Sequence, residues 1–415
     1  MGMDMYRKLK EKLTGNSLRS EFSVIWKFFY NNVIAYVLLY AQNVLINRYM
    51  PTESLGQYSY TQSLLILFTS IYSMEAYSAY LRFIGITNEK KLLKRVRQIL
   101  FIASVLFSIT VFAFFESPFY ILFVGYMWMM ERLYFFRSKM DITTYGRIKI
   151  MQYAFSIFFI GGLIVTKLLN HQTVLIVIGL SYVVVSVLYT FNSKAKRITA
   201  VEDDLPQVKT GEIVKYALPL SFNAIVVWVL SAADQMLIDN FMDPLTLTYY
   251  SVGLRIINVI RIGVGVIMEY WPRFYFERMG KREYSAVRIM KILFLGVVTV
   301  LCLGTVIFSK QLYWLMGASR YVDMRWMFCY LAIAEMFRQW GAILITYQSF
   351  MKNTSINVIC LSVLGFAKFI ANWFTINSIG VNVLFYSTLI CYFLYFLASM
   401  YFGLYRERKY MKSNQ

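Results

Sequence analysis

The chain has 415 residues, 59% of them hydrophobic and only 15% charged, more apolar surface than two or three water-soluble cores would bury, which excludes an ordinary soluble protein and makes lipid the solvent. Against 22 Asp and Glu stand 42 Lys and Arg, a formal charge of +20. These basic residues recur as short clusters between apolar runs and form no single patch, so the partners they fit are membrane lipids, and nucleic acid is excluded.

The first predicted element follows a basic start, Arg7, Lys8, Lys10, Lys12 and Arg19. The apolar run behind it is too long for a signal peptide and lacks a small-residue cleavage site, so it reads as an uncleaved first span. A helix needs about 20 mostly apolar residues to cross a bilayer. Stretches of that kind fall at 28–46, 58–83, 99–115, 119–136, 150–169 and 173–191. Residues 192–215 then form the one long polar stretch in mid-chain, with Glu202, Asp203, Asp204 and Pro206. Six more runs follow at 217–239, 249–271, 292–308, 324–346, 356–376 and 383–404. The fold class expected is therefore an all-α polytopic membrane protein of about twelve transmembrane helices in two six-helix lobes. A basic N-terminus (1–27), an N-lobe (28–191), a linker (192–215), a C-lobe (216–404) and a basic tail (405–415) make up the expected domains.

Alternating the loops between two sides places 31 of the 42 Lys and Arg on the side of the termini and four on the other, Arg48, Lys167, Lys310 and Arg320. Cytoplasmic loops carry such an excess, so both termini are expected in the cytoplasm. The two halves also echo each other at an offset of 192 residues without a gap. Leu45 to Met50 lies over Leu237 to Met242, Leu55 over Leu247, Tyr58-Ser59 over Tyr250-Ser251 and Asn31 over Asn223. Six spans separate the copies, so both run the same way through the bilayer, a parallel repeat of the kind that places a substrate path between its halves.

An ionised side chain near the bilayer centre costs about 2.5 to 3.5 kcal/mol on insertion scales. Glu335 and Arg338, three apart, can neutralise each other, and Arg82, Arg132, Arg325 and Glu269 lie near enough to span ends to snorkel. Arg255, Arg261, Lys368 and Asp234 have no such explanation, and at least two of the three cations are expected to line a water-filled central cavity suited to an anionic group. Asp234 and Glu131 are the candidate ion-coupling carboxylates. Tyr36, Tyr40, Trp228 and Trp373 are candidates for stacking on sugar rings. The four cysteines form no ligand pair, and the lone His171 lies in a short outer loop, so no metal site is expected.

The segment Leu45 to Ser59, with Arg48, Pro51, Glu53, Leu55, Gly56 and Tyr58, resembles the first-loop signature of the polysaccharide transporter family. Leu218-Pro219-Leu220, Asp234 before a Leu-Ile pair, Tyr250-Ser251 and Trp271-Pro272 closing the eighth span resemble that family's second half. Among its members the likeness is greatest to the bacterial O-antigen flippases, of the superfamily that also holds drug and peptidoglycan-precursor exporters. The resemblance implies two lobes that alternate access and no organic or metal cofactor. It implies an undecaprenyl-pyrophosphate-linked oligosaccharide as substrate, moved from the cytoplasmic to the periplasmic face of the inner membrane. A polysaccharide polymerase and a chain-length regulator are the implied partners. Within the matched segments lie Arg48, a further candidate for substrate binding, and Asp234. A membrane polymerase or glycosyltransferase is the weaker alternative, because the longest outer loop, 309–323, is short and acid-poor. A multidrug or cation antiporter of the same superfamily fits the net positive charge in the spans less well.

Overall fold

The computed structural model describes residues 16–84, 87–114, 117–139, 141–191, 206–351, 353 and 355–413, and no strand occurs among them. The first lobe contains α1 (Asn16–Tyr49), α2 (Thr52–Ser73), the short α3 (Ala79–Phe83), α4 (Glu89–Phe114), α5 (Ser117–Ser138), α6 (Ile142–Val165) and α7 (His171–Phe191). The second contains α8 (Thr210–Ser231), the short α9 (Ala233–Phe241), α10 (Pro244–Gly280), α11 (Tyr284–Ile307), the short α12 (Ser309–Leu315), α13 (Arg325–Phe350), α14 (Ser355–Ile379) and α15 (Asn382–Ser399). A π-helical turn, Met400–Tyr405, carries the chain into α16 (Arg406–Ser413). Each expected span thus has one long helix. Eight of the described helices are individually long and apolar enough to cross a membrane, and the bent pair of α2 and α3 makes nine. Residues 1–15 of the expected N-terminal segment, 192–205 of the expected linker and 414–415 of the tail lie outside the described residues. The rest of the linker region is partly helical, since α8 starts at Thr210 with the Glu212 carboxylate accepting from the Lys209 amide at 3.0 Å.

Three spans differ in detail from the reading of the sequence. The run 58–83 is not continuous: the chain turns by 68° between α2 and α3, with Met74 and Glu75 both left-handed. Ser73 Oγ accepts the Glu75 amide and Ser70 Oγ donates to its carboxylate, which satisfies the polar groups that such a turn exposes. The run 217–239 is broken at Ala232, whose φ of −130° leaves the helical region between α8 and α9. The eighth span does not close at Trp271-Pro272, for α10 runs on to Gly280. Buried Trp271 donates its indole N–H to Ile343 O and Thr346 Oγ1, while Tyr275 one turn later donates to Glu407 of α16. These contacts hold the last two turns against the neighbouring elements despite the proline.

The repeat is visible in the geometry. Helix α1 ends at Tyr49 and α9 at Phe241, while α2 starts at Thr52 and α10 at Pro244, and both pairs of ends stand at the 192-residue offset. Packing recurs with it: α1 lies on α6 as α8 lies on α14, α5 on α7 as α13 on α15, and α4 on α5 as α11 on α13. The lobes meet mainly where α2 crosses α10 and α8. At that crossing Gly56 faces Thr248, its own counterpart in the repeat. A Cβ on Gly56 would stand 2.9 Å from Thr248 Oγ1 and 3.3 Å from its backbone nitrogen, so the close approach of α2 and α10 requires glycine there.

Candidate functional site

The seam between the lobes is tied together most densely at the end away from the termini. Arg255 of α10, only 8% exposed, reaches across it. Its guanidinium donates to Asn47 Oδ1 at 2.6 Å and to the Ser59 hydroxyl, and lies 5.0 Å from the centroid of the Tyr58 ring. No carboxylate among the described residues pairs with it. A buried cation served by neutral dipoles and one aromatic face remains a strong anion attractor. Asn47 also donates to Met316 O at 3.1 Å. Arg320 donates to the carbonyls of Asn47 and Met50, where α1 ends and its dipole is negative. Tyr40 Oη to Leu315 O and Thr248 Oγ1 to Thr52 O complete a closed gate at this end. Arg48, next to Asn47, points the other way: it is exposed, with its guanidinium 5.7 Å from the Tyr49 ring centroid.

Two charge clusters lie inside the second lobe apart from the buried Lys291–Glu407 pair that ties α11 to α16. The break at Ala232 leaves carbonyls of α8 without helical partners, and Lys368 of α14 donates its Nζ to one of them, Leu230 O, at 3.1 Å. The same Nζ is 2.6 Å from Asp234 Oδ2. Tyr250 Oη donates to Asp234 at 2.9 Å and Asn372 Nδ2 at 3.1 Å, so the carboxylate at the start of α9 is enclosed. The second cluster centres on Glu335 of α13, which is buried between Arg261 at 3.2 Å and Arg338 at 2.5 Å and also accepts from Gln339. A cavity of about 10 Å³, lined by Ser231, Tyr250, Arg261, Glu335, Thr388 and Tyr392, separates the two clusters. It has about the room of a single water.

The structure therefore does not gather Arg48, Arg255, Arg261 and Lys368 into one constellation. Lys368 is spent on Asp234 and a broken helix, Arg48 faces outward, and Arg255 and Arg261 serve the seam and the Glu335 cluster respectively. Glu131 lies in the first lobe, fully buried, with Arg97 at 3.2 Å, Arg132 at 3.1 Å and the Tyr80 hydroxyl at 2.8 Å. Sequence spacing showed the Glu335–Arg338 pair, but the third member, Arg261, comes from another helix and left no local signal. Of the aromatic candidates, Trp228 is committed to the seam through Ser63 O, and Trp373 packs edge-on against Phe241. No group of three His, Cys, Asp or Glu among the described residues is placed to hold a metal.

No family model matches the sequence, and no curated protein does. Solved structures do. An inward-facing multidrug resistance MATE family transporter of the MOP superfamily superposes with a TM-score of 0.69 at 12% identity, over 91% of this chain and 96% of the other. The fold is that of MATE-like transporters. A MOP superfamily transporter from Pyrococcus furiosus, described as having a binding pocket of reverse polarity, gives 0.66 at 12% identity over 92% and 95% of the two chains. The Vibrio cholerae MATE transporter VcmN in its bent form gives 0.56 at 14% identity over 95% and 98%. Coverage of both chains exceeds nine-tenths, so the two-lobed MATE-like architecture accounts for most of the chain.

Proposed function

We propose that the protein is a flippase that moves undecaprenyl-pyrophosphate-linked oligosaccharide units from the cytoplasmic to the periplasmic face of a bacterial inner membrane by alternating access. The observation that carries this reading is the imbalance of charge along the seam and the second-lobe face. Among the described residues three guanidiniums, Arg255, Arg261 and Arg338, stand there against Glu335, while Asp234 is neutralised by Lys368 and Asp239 lies beside Tyr60 of α2. Such a surface attracts anions and repels the cations that a multidrug antiporter exports. The end that holds the termini is read as cytoplasmic from its excess of Lys and Arg, so the closed gate is periplasmic.

Opening that gate separates Asn47 and Ser59 on the first lobe from Arg255 on the second. The guanidinium then loses its neutral partners, and a pyrophosphate can take their place in a bidentate grip. An inside-negative potential drives export of such an anion, by about 2.3 kcal/mol per charge per 100 mV if the charge crosses the whole field. A polymerase and a chain-length regulator would take over the unit on the far side.

The test is a strain lacking the protein, complemented with wild type, Arg255→Ala or Arg261→Ala. The expected result is accumulation of lipid-linked units on the cytoplasmic leaflet and loss of surface polysaccharide in the deletion, with each variant restoring less than wild type at equal membrane insertion. Full restoration by both variants, or a deletion phenotype confined to drug sensitivity, overturns the proposal.

A further inference from the structure

A second cationic feature lies away from the seam, on the flank of the first lobe at the end of the termini. A cavity of about 1130 Å³ opens there between α4, α5, the last turn of α7 at Thr190 and the first residue of α8, Thr210. Lys90, Lys94, Arg97 and Arg132 line it, and among the described residues the carboxylate set against them is Glu131, which Arg97 and Arg132 share. Lys90 and Lys94 are exposed and form no ion pair among the described residues. Arg132 is 3% exposed, yet its buried Nε makes no hydrogen bond: it lies 3.1 Å from Glu131 Oε2 but is not aligned with it. A buried guanidinium nitrogen without an acceptor is costly, and Arg132 borders a space rich in positive charge.

The wall continues as hydrocarbon. One helical turn along α4 from Arg97 and Gln98 come Phe101 and Ile102, 62% and 57% exposed, then Val105, Leu106 and Ile109 on the same outward face. Cations at the membrane surface with an apolar strip leading from them into the bilayer match a phosphate headgroup and its chains, and do not match a soluble anion alone.

We infer that this cavity binds the phosphate of an anionic membrane lipid from the leaflet at the termini's end, with its chains laid along the α4 strip. The lipid would lie against the first lobe and touch the second only at Thr210, the first residue of α8. The site is separate from the seam, and its occupancy does not depend on what the protein transports.

The test uses the full-length protein in neutral detergent, titrated with phosphatidylglycerol, with phosphatidylcholine and with inorganic phosphate, reading lipid occupancy by native mass spectrometry and the unfolding temperature. Phosphatidylglycerol is expected to bind and raise the unfolding temperature, while phosphatidylcholine and inorganic phosphate at the same concentrations do neither. Lys90→Gln with Lys94→Gln, two exposed positions that leave the Glu131 network intact, is expected to weaken phosphatidylglycerol about 30-fold, at roughly 1 kcal/mol for each charge. Equal affinity in that double variant overturns the assignment, as does equal binding of the two lipids. Stabilisation by inorganic phosphate equal to that by lipid overturns the lipid source.

Discussion

Lys368 and Asp234 form an ion pair at 2.6 Å whose side chains are each 2% exposed, so removing either partner leaves the other charged in a low-dielectric interior. Losing one member of a buried pair costs about 3 to 5 kcal/mol, whereas replacing both with uncharged groups of similar size is often near neutral. Lys368→Met is accordingly expected to lower the unfolding temperature in detergent sharply, and Lys368→Met with Asp234→Asn to recover most of the loss. A single variant as stable as wild type would show that the pair contributes nothing. The sequence showed both residues to be unusual but could not join them: they lie 134 positions apart, and the feature that brings Lys368 to Leu230 is a helix break within Ser231-Ala232-Ala233, which holds no Gly or Pro. The 192-residue offset does carry one residue-level signal. It sets Gln42 against Asp234, and each bonds the tyrosine sixteen positions on, but Gln42 donates to the Tyr58 oxygen whereas Asp234 accepts from the Tyr250 hydroxyl. The first lobe thus holds a neutral amide where the second holds a carboxylate.

At the scale of elements, apolar length found all twelve long helices and missed their internal turns. The bend at Met74 and Glu75 and the break at Ala232 are built from residues with ordinary helical propensity, and tertiary contacts made by Ser70, Ser73 and Lys368 hold them. The start of α10 lies ahead of the expected run 249–271: Asp243 before Pro244 is an N-cap followed by a proline at the first helical position. Asp243 accepts from the Thr246 amide at 2.8 Å and its hydroxyl at 2.6 Å, and these bonds hold its carboxyl below the usual carboxylate range. Because the folded value lies below the unfolded one, this stabilisation is complete above the unfolded value, near pH 4. It fades as pH falls through the folded value. Asp243→Ala is expected to cost about 1 kcal/mol at neutral pH and to narrow its gap from wild type in thermal scans at pH 3. A gap that does not change with pH would point to lost packing instead of a lost cap.

For the whole molecule, alternating access requires the closed gate to part. The short approach of Gly56 to Thr248 gives a direct handle, since a Cβ at position 56 would stand 2.9 Å from Thr248 Oγ1, within reach of a cross-link between cysteines. With the four native cysteines replaced by Ala, Gly56→Cys with Thr248→Cys is expected to stop transport when oxidised and regain it on reduction. Transport that persists in the fully cross-linked protein would rule out motion at this gate. The architecture was largely legible because lipid imposes a simple code of length and sidedness. The site was less so, because the partners of each intramembrane charge come from distant helices and no spacing rule connects them.

Gly56 and Thr248 also constrain how the two halves could have come to fit. Where a repeat's axis passes between counterpart positions, two identical halves would press the same side chain against itself, and only a small one fits. Here the available volume is divided unequally, nothing to one side and a hydroxyl and methyl to the other. What is fixed at the crossing is therefore more than the sum of the two side chains, because Leu247 and the Thr248 backbone nitrogen also stand within 3.3 Å of a Cβ at position 56. Gly56→Thr alone should wedge the lobes apart, while Gly56→Thr combined with Thr248→Gly should recover only part of the native separation, a difference that distance measurements across the gate would reveal.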